Sequence, residues 1–137
     1  MASQKPETKF IQSIHRLIPE VYFEKNNNPW RSGTPDVWYS GDKGDLWIEY
    51  KYLGQFPANK AIYPELTAQQ TRWLNNRYKE GRNVAVVLGT KTGGVVYINK
   101  DWNNPYSATE LNDRILPRLE IATWIHDSAG KGCMDTL

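Results

Sequence analysis

The sequence predicts an α/β domain, a central β-sheet flanked by helices, and three observations carry that prediction. Apolar residues recur at helical spacing in two separate segments, near residues 8–18 and 67–80. Between them, β-rich runs flank a Gly-rich turn over residues 37–52. After the second helix comes Val84-Ala85-Val86-Val87-Leu88, an apolar run of strand length that needs cover on both faces.

In order along the chain, Phe10, Ile11, Ile14, Leu17 and Ile18 mark the first helix, over residues 8–18, with Pro6 where a first turn tolerates it and Pro19 as the stop. Val21-Tyr22-Phe23 reads as a short strand ending in the turn-prone Lys25-Asn26-Asn27-Asn28-Pro29. Val37-Trp38-Tyr39 and the run from Leu46 to Tyr52 form a hairpin across Gly41-Asp42-Lys43-Gly44. Residues 54–60 are too irregular for a regular element and too aromatic for a spacer, which fits a working loop. Thr67 and Gln70 have the spacing of a capping box, and Gly81 ends the helix that Trp73, Leu74 and Tyr78 continue. Val95-Val96-Tyr97-Ile98 extends the same sheet after Gly93-Gly94. A helical extension follows over about residues 107–126, begun by Ser107 or Thr109, and residues 127–137 read as a frayed tail. The expectation is one domain over residues 1–137 with its core at about 7–98.

Composition narrows the function classes. A 39% hydrophobic content suffices for one modest core in 137 residues. No apolar run approaches the roughly 18 residues that cross a bilayer, and the N-terminus lacks the apolar stretch of a signal peptide, so a cytoplasmic protein is expected. With Cys133 alone and only His15 and His126, disulfide frameworks, cysteine-rich zinc sites and histidine-built metal sites have no material. A metal here would be a hard cation held by carboxylates. The net charge of +2 is uninformative, but residues 51–82 hold six basic side chains against two acidic ones and form the candidate phosphate-facing region.

Side chains alternate along a strand, so Glu49 and Lys51 share one face while Ile48, Tyr50 and Tyr52 take the other. Asp36 begins the preceding strand, and if the hairpin pairs across its turn, its carboxylate approaches that of Glu49. Two adjacent carboxylates repel unless a cation sits between them. Magnesium suits that position: it takes octahedral oxygen ligands, here Asp36, Glu49 and the Tyr50 carbonyl, and keeps waters. Lys51 would then orient or deprotonate the attacking water and stabilise charge on the phosphate. The plainer reading, a turn residue and a mild ion pair on a solvated strand, sits poorly with the aromatic neighbours Trp47 and Tyr52.

Pro35-Asp36, twelve intervening residues, then Glu49-Tyr50-Lys51 resembles the PD-(D/E)XK nuclease superfamily. Gly33 before Pro35-Asp36, Leu46-Trp47-Ile48 before Glu49, and Thr67, Gln70, Trp73 and Leu74 ahead of Gly81 and the Val-rich strand look like its VRR-NUC and phage-type branches, over about residues 7–98. The resemblance implies a restriction-endonuclease-like core with a mixed sheet, an active site at the open edge of that sheet, and phosphodiester hydrolysis with Mg2+, for which Mn2+ can substitute. It also implies a further acid from the first helix, Glu7 by preference or else Glu20. Gln70 matches a glutamine near the lysine in related nucleases, although capping by Thr67 competes for the same side chain.

For DNA contacts the candidates are Trp30, Arg31, Lys60, Arg72 and Arg77, since phosphate contacts supply most nuclease affinity. Trp30, Tyr39, Phe56 and Tyr63 lie in or near loops, where exposed rings can stack on bases or pack a partner. A chain of this size reading double-stranded DNA is expected to act as a homodimer or higher symmetric oligomer. The preferred role is a sequence-specific homing-type endonuclease of phage or bacterial origin. A Holliday junction resolvase, a repair or restriction nuclease, and a non-catalytic DNA-binding module on the same fold are the alternatives.

Overall fold

In the computed structural model, which describes residues 5–26 and 33–132, a hairpin of β2 (Val37–Gly41) and β3 (Gly44–Tyr52) forms the centre of the sheet. Gly41 pairs with Gly44, leaving a two-residue turn, Asp42-Lys43, and Gly44 has a positive φ of 142° that an L side chain rarely adopts. On one side β1 (Tyr22–Lys25) adds antiparallel to β2. On the other, α2 (Ala68–Lys79) carries the chain over to β4 (Val84–Gly89), which runs parallel to β3, and β5 (Gly94–Tyr97) follows antiparallel. The order β1-β2-β3-β4-β5 is therefore a mixed sheet flanked by helices, as the sequence predicts.

Each face of the sheet buries its own apolar cluster. Ile48 and Tyr50 of β3 with Ala85 and Val87 of β4 pack against α1 (Pro6–His15) and α4 (Arg118–Ala129). Val84, Val86, Val95 and Tyr97 pack on the opposite face with Leu74 of α2, Trp102 of a 3-10 turn (Asp101–Asn103) and Leu111 of α3 (Ala108–Asn112). The continuous apolar run of β4 is the consequence: all six of its residues are buried. The last residue of that strand is a glycine, Gly89, and a Cβ there would lie 2.8 Å from the Phe10 ring of α1.

Three expectations change. Helix α1 ends at His15, not at Ile18, because the residue before a proline disfavours α geometry. Leu17 and Ile18 close tighter turns instead, on the carbonyls of Ile14 and His15. The C-terminal helix is part of the core: Ile121, Ala122, Ile125 and Ala129 are fully buried, against β2, β3, β5 and α1. The frayed tail does not begin at 127 either. Helix α4 continues to Ala129, the Asp42 and Lys43 amides donate to the Lys131 and Ala129 carbonyls, and the Gly132 amide donates to Glu20. Residues 133–137 of that expectation lie outside the described residues. Among the described residues, no helix is long and apolar enough to cross a membrane.

Candidate active site

The site begins with strand alternation. Ile48, Tyr50 and Tyr52 face α1 and α4, so Trp47, Glu49 and Lys51 face the α2 side. The hairpin register, Val37 opposite Ile48, places Asp36 one step further on, level with Glu49 and on the same face. Asp36 is fixed there by the Tyr50 amide, which donates to its Oδ2 at 3.0 Å. A residue's N–H and C=O leave a strand on the same edge, so the Tyr50 carbonyl also projects toward Asp36, past the last ladder pair of β2.

Glu49 is 2% exposed, the one charged side chain buried among the described residues. Its Oε2 accepts from Gln70 Nε2 at 3.0 Å and lies 3.7 Å from Lys51 Nζ. Its Oε1 is buried with no hydrogen-bond partner, and no other buried, unpartnered polar atom among the described residues belongs to a carboxylate. Burial first, and then the charge of Asp36, push its pKa up to about 9 against the opposing pull of Lys51. A group that is buried, crowded by another carboxylate and one hydrogen bond short is poised for a positive ligand.

Gln70 makes the capping box and a contact to Glu49 at once. Its Oε1 accepts from the Thr67 amide at 2.9 Å, closing the capping box of α2 with the 3.1 Å bond from its own amide to Thr67 Oγ1. The amide nitrogen at the other end of the side chain reaches Glu49. The two tasks use different atoms, so they do not compete.

Glu7 lies in the first turn of α1, half-buried, with its pKa raised by burial and by Asp36 and lowered by Lys51, Lys5 and Lys25. It is thus within electrostatic reach of the pair. Among the described residues, no group of three or more His, Cys, Asp or Glu side chains is placed to hold a metal ion. Glu20 is elsewhere, 3.6 Å from His126.

The expected DNA contacts separate. Arg77 lies 3.1 Å from Glu80 and over the Trp73 ring at 5.9 Å, with its side chain still part-exposed. Trp73 in turn packs on Trp47, and Trp47 on Trp38, with ring centroids 5.4 and 5.9 Å apart. Arg72 is exposed on α2, and Lys60 is exposed beside Pro105 and Tyr106. Trp30 and Arg31 lie outside the described residues. Of the loop aromatics, Tyr39 is fully buried and bonded to Tyr50, Phe56 packs on the core, and Tyr63 remains 52% exposed. Lys5 and Glu65, which no sequence pattern marks, join Tyr63, Glu7 and Lys51 around one cleft.

No family model matches the chain, and no curated protein matches it. Among solved structures, the Holliday junction resolvase Hjc from the hyperthermophilic archaeon Archaeoglobus fulgidus shares the fold, with a TM-score of 0.57 over 87% of this chain and 97% of that one at 15% identity. The five-stranded mixed sheet with flanking helices is the restriction-endonuclease-like arrangement of that resolvase.

Proposed function

We propose that the chain is a divalent-metal-dependent DNA endonuclease of the PD-(D/E)XK kind, with Asp36 and Glu49 as the metal-holding pair and Lys51 as the cationic partner of the scissile phosphate. The observation that carries this reading is the buried Glu49 carboxylate facing Asp36 with one oxygen unpartnered. Left alone, Glu49 keeps its proton at neutral pH, under the two costs of its burial and of a second carboxylate beside it. Positive charge between the two carboxylates removes both costs, so the residues fit a hard cation. Magnesium, or manganese in its place, supplies charge neutralisation there and Lewis-acid polarisation of a phosphate oxygen.

The chain's own groups do the rest. The Tyr50 amide holds Asp36, and its carbonyl adds a third oxygen at the same edge. Gln70 and Lys51 hold Glu49 Oε2, which leaves Oε1 to face the ligand. The Lys51 ammonium orients the attacking water and donates to the phosphate oxygen that gains charge as the P–O bond breaks. Glu7 contributes negative potential at the rim. Arg72 and Lys60 are assigned to more distant phosphates. We also infer a symmetric homodimer, since cutting both strands needs two sites; the edge strand β1 carries the exposed Tyr22 and Phe23 that such a contact would cover, and light scattering measures the state.

Plasmid nicking tests the reading. Cleavage is expected with magnesium, none with EDTA, and a loss of at least roughly 100-fold in Asp36→Asn and Glu49→Gln. Cleavage that survives either substitution sinks the assigned site, and DNA binding with no cleavage in magnesium or manganese favours a passive module. Comparing a four-way junction with linear duplexes separates a resolvase from a homing-type enzyme.

A further inference from the structure

Beyond Lys51, at the carboxyl ends of the parallel strands β3 and β4, the surface opens into a cleft of about 330 Å³. Tyr52, Leu53 and Leu88 give it apolar walls, Lys5 and Lys51 give it cations, and Glu7 and Glu65 give it acceptors. Its size is at the small end of the roughly 300–1,000 Å³ of ligand pockets, enough for one heteroaromatic ring system and far too small for a duplex.

Tyr63 also lines this cleft, and how it is held bears on its use. The residue before it, Ile62, is 4% exposed and exchanges two backbone hydrogen bonds with Tyr106, at 2.8 and 3.1 Å. The residue after it, Pro64, is buried. Tyr63, between two anchored neighbours, is nonetheless 52% exposed. A ring carried on a backbone already pinned on both sides leaves only its side-chain rotamers to be ordered when a ligand arrives. Nothing in the packing of the fold requires it there.

We propose that this cleft receives a single unstacked nucleobase of the strand being cut, next to the scissile phosphate, with Tyr63 as its stacking partner and Lys5 on an adjoining phosphate. The inference rests on the nuclease reading above. An apolar wall and a tyrosine face suit the flat surface of any base, carboxylates suit exocyclic amino groups, and the lysines suit the backbone on either side. A base still paired within a continuous duplex does not reach such a cleft. The substrate class is therefore DNA with a base already free at the cut, at a branch, flap or mismatch, where unstacking costs least.

Fluorescence anisotropy with the Glu49→Gln chain measures this without cleavage. Three labelled DNAs are compared: a continuous duplex, the same duplex with one unpaired nucleotide, and the second with that base removed to leave an abasic sugar. The unpaired base is expected to tighten binding roughly tenfold, the abasic form to lose that gain, and Tyr63→Ala to lose it while Tyr63→Phe keeps it. Equal affinity for the base-bearing and abasic forms, or a preference that survives in Tyr63→Ala, overturns the inference and leaves the nuclease reading intact. Failure to bind any of the three DNAs overturns the nuclease reading and this inference with it.

Discussion

The carboxylates of Asp101 and Glu49 are surrounded by opposite kinds of environment. Asp101 accepts from the Tyr106 hydroxyl, from Asn104 and, at 2.6 Å, from Arg114, whose guanidinium lies over the Tyr97 and Tyr106 rings at 5.5 and 4.6 Å. Burial works against its ionisation, but those hydrogen bonds outweigh it and hold its pKa below the ordinary value. Glu49, far more buried, has one oxygen with no donor and a second carboxylate beside it, and its pKa moves the other way. Selection for stability alone would satisfy the deeper group first. The difference marks the Asp101 cluster as a tie between the C-terminal elements and the sheet, and the Glu49 pair as the less satisfied of the two, where the proposed cation would sit.

The largest expected effect tests that division directly. Lys51→Ala should lower plasmid cleavage by roughly 100-fold or more with little loss of stability. Arg114→Ala should leave cleavage within about threefold while costing about 2 kcal/mol in urea unfolding, the scale of a charge-assisted hydrogen bond. An Arg114→Ala protein that folds normally yet loses cleavage as deeply as Lys51→Ala collapses the distinction between the clusters.

A smaller effect separates the two tasks of Gln70. Gln70→Ala removes the capping acceptor, worth about 1 kcal/mol, together with the donor to Glu49. Gln70→Glu keeps an acceptor for the Thr67 amide but sets another carboxylate against Glu49. Both should cut about tenfold more slowly, and only the alanine form should lose the cap. Full activity in Gln70→Glu, read from the same preparations used for thermal unfolding, would make the Glu49 contact incidental.

The smallest effect lies in the pH dependence of metal-free stability. Glu49 titrates near 9 in the fold against an ordinary 4.5, so its contribution is whole below pH 4.5 and lost as pH rises through 9. Glu49→Gln should therefore melt higher than the parent at pH 8 and nearly level with it at pH 4, and magnesium should raise the melting temperature of the parent alone. His15, half-buried against Phe23 and bonded to Tyr39, runs the opposite way, since partial burial lowers its pKa to about 4. Its contribution is whole above pH 6.5 and lost as pH falls through 4, and His15→Gln should flatten the acid side of the curve. Melting curves from pH 4 to pH 9 check both signs, and a Glu49→Gln protein less stable at pH 8 contradicts the frustrated pair.

What could be read from the residues was local. Period-two alternation put Glu49 with Lys51 and the Thr67–Gln70 spacing located the start of α2, whereas Asp36 joined them only on the condition that the hairpin pairs, which the observed register meets. Proline and glycine marked most element ends, though the strain ahead of Pro19 shortened α1 more than its apolar repeat suggests. That the Arg77 guanidinium lies over the Trp73 indole was not legible in the sequence. The C-terminal stretch was legible as helical but outside the core, and only packing across β2, β3 and β5 made α4 part of it.

The sequence by itself thus determined which side chains share a face, because strand and turn geometry depend on neighbours along the chain. The tertiary structure alone decided how deeply Glu49 is buried, that its second oxygen goes unanswered, and that one glutamine amide serves a helix cap and a carboxylate at once. Those follow from desolvation and from contacts between residues 13 to 21 positions apart, which no local pattern encodes.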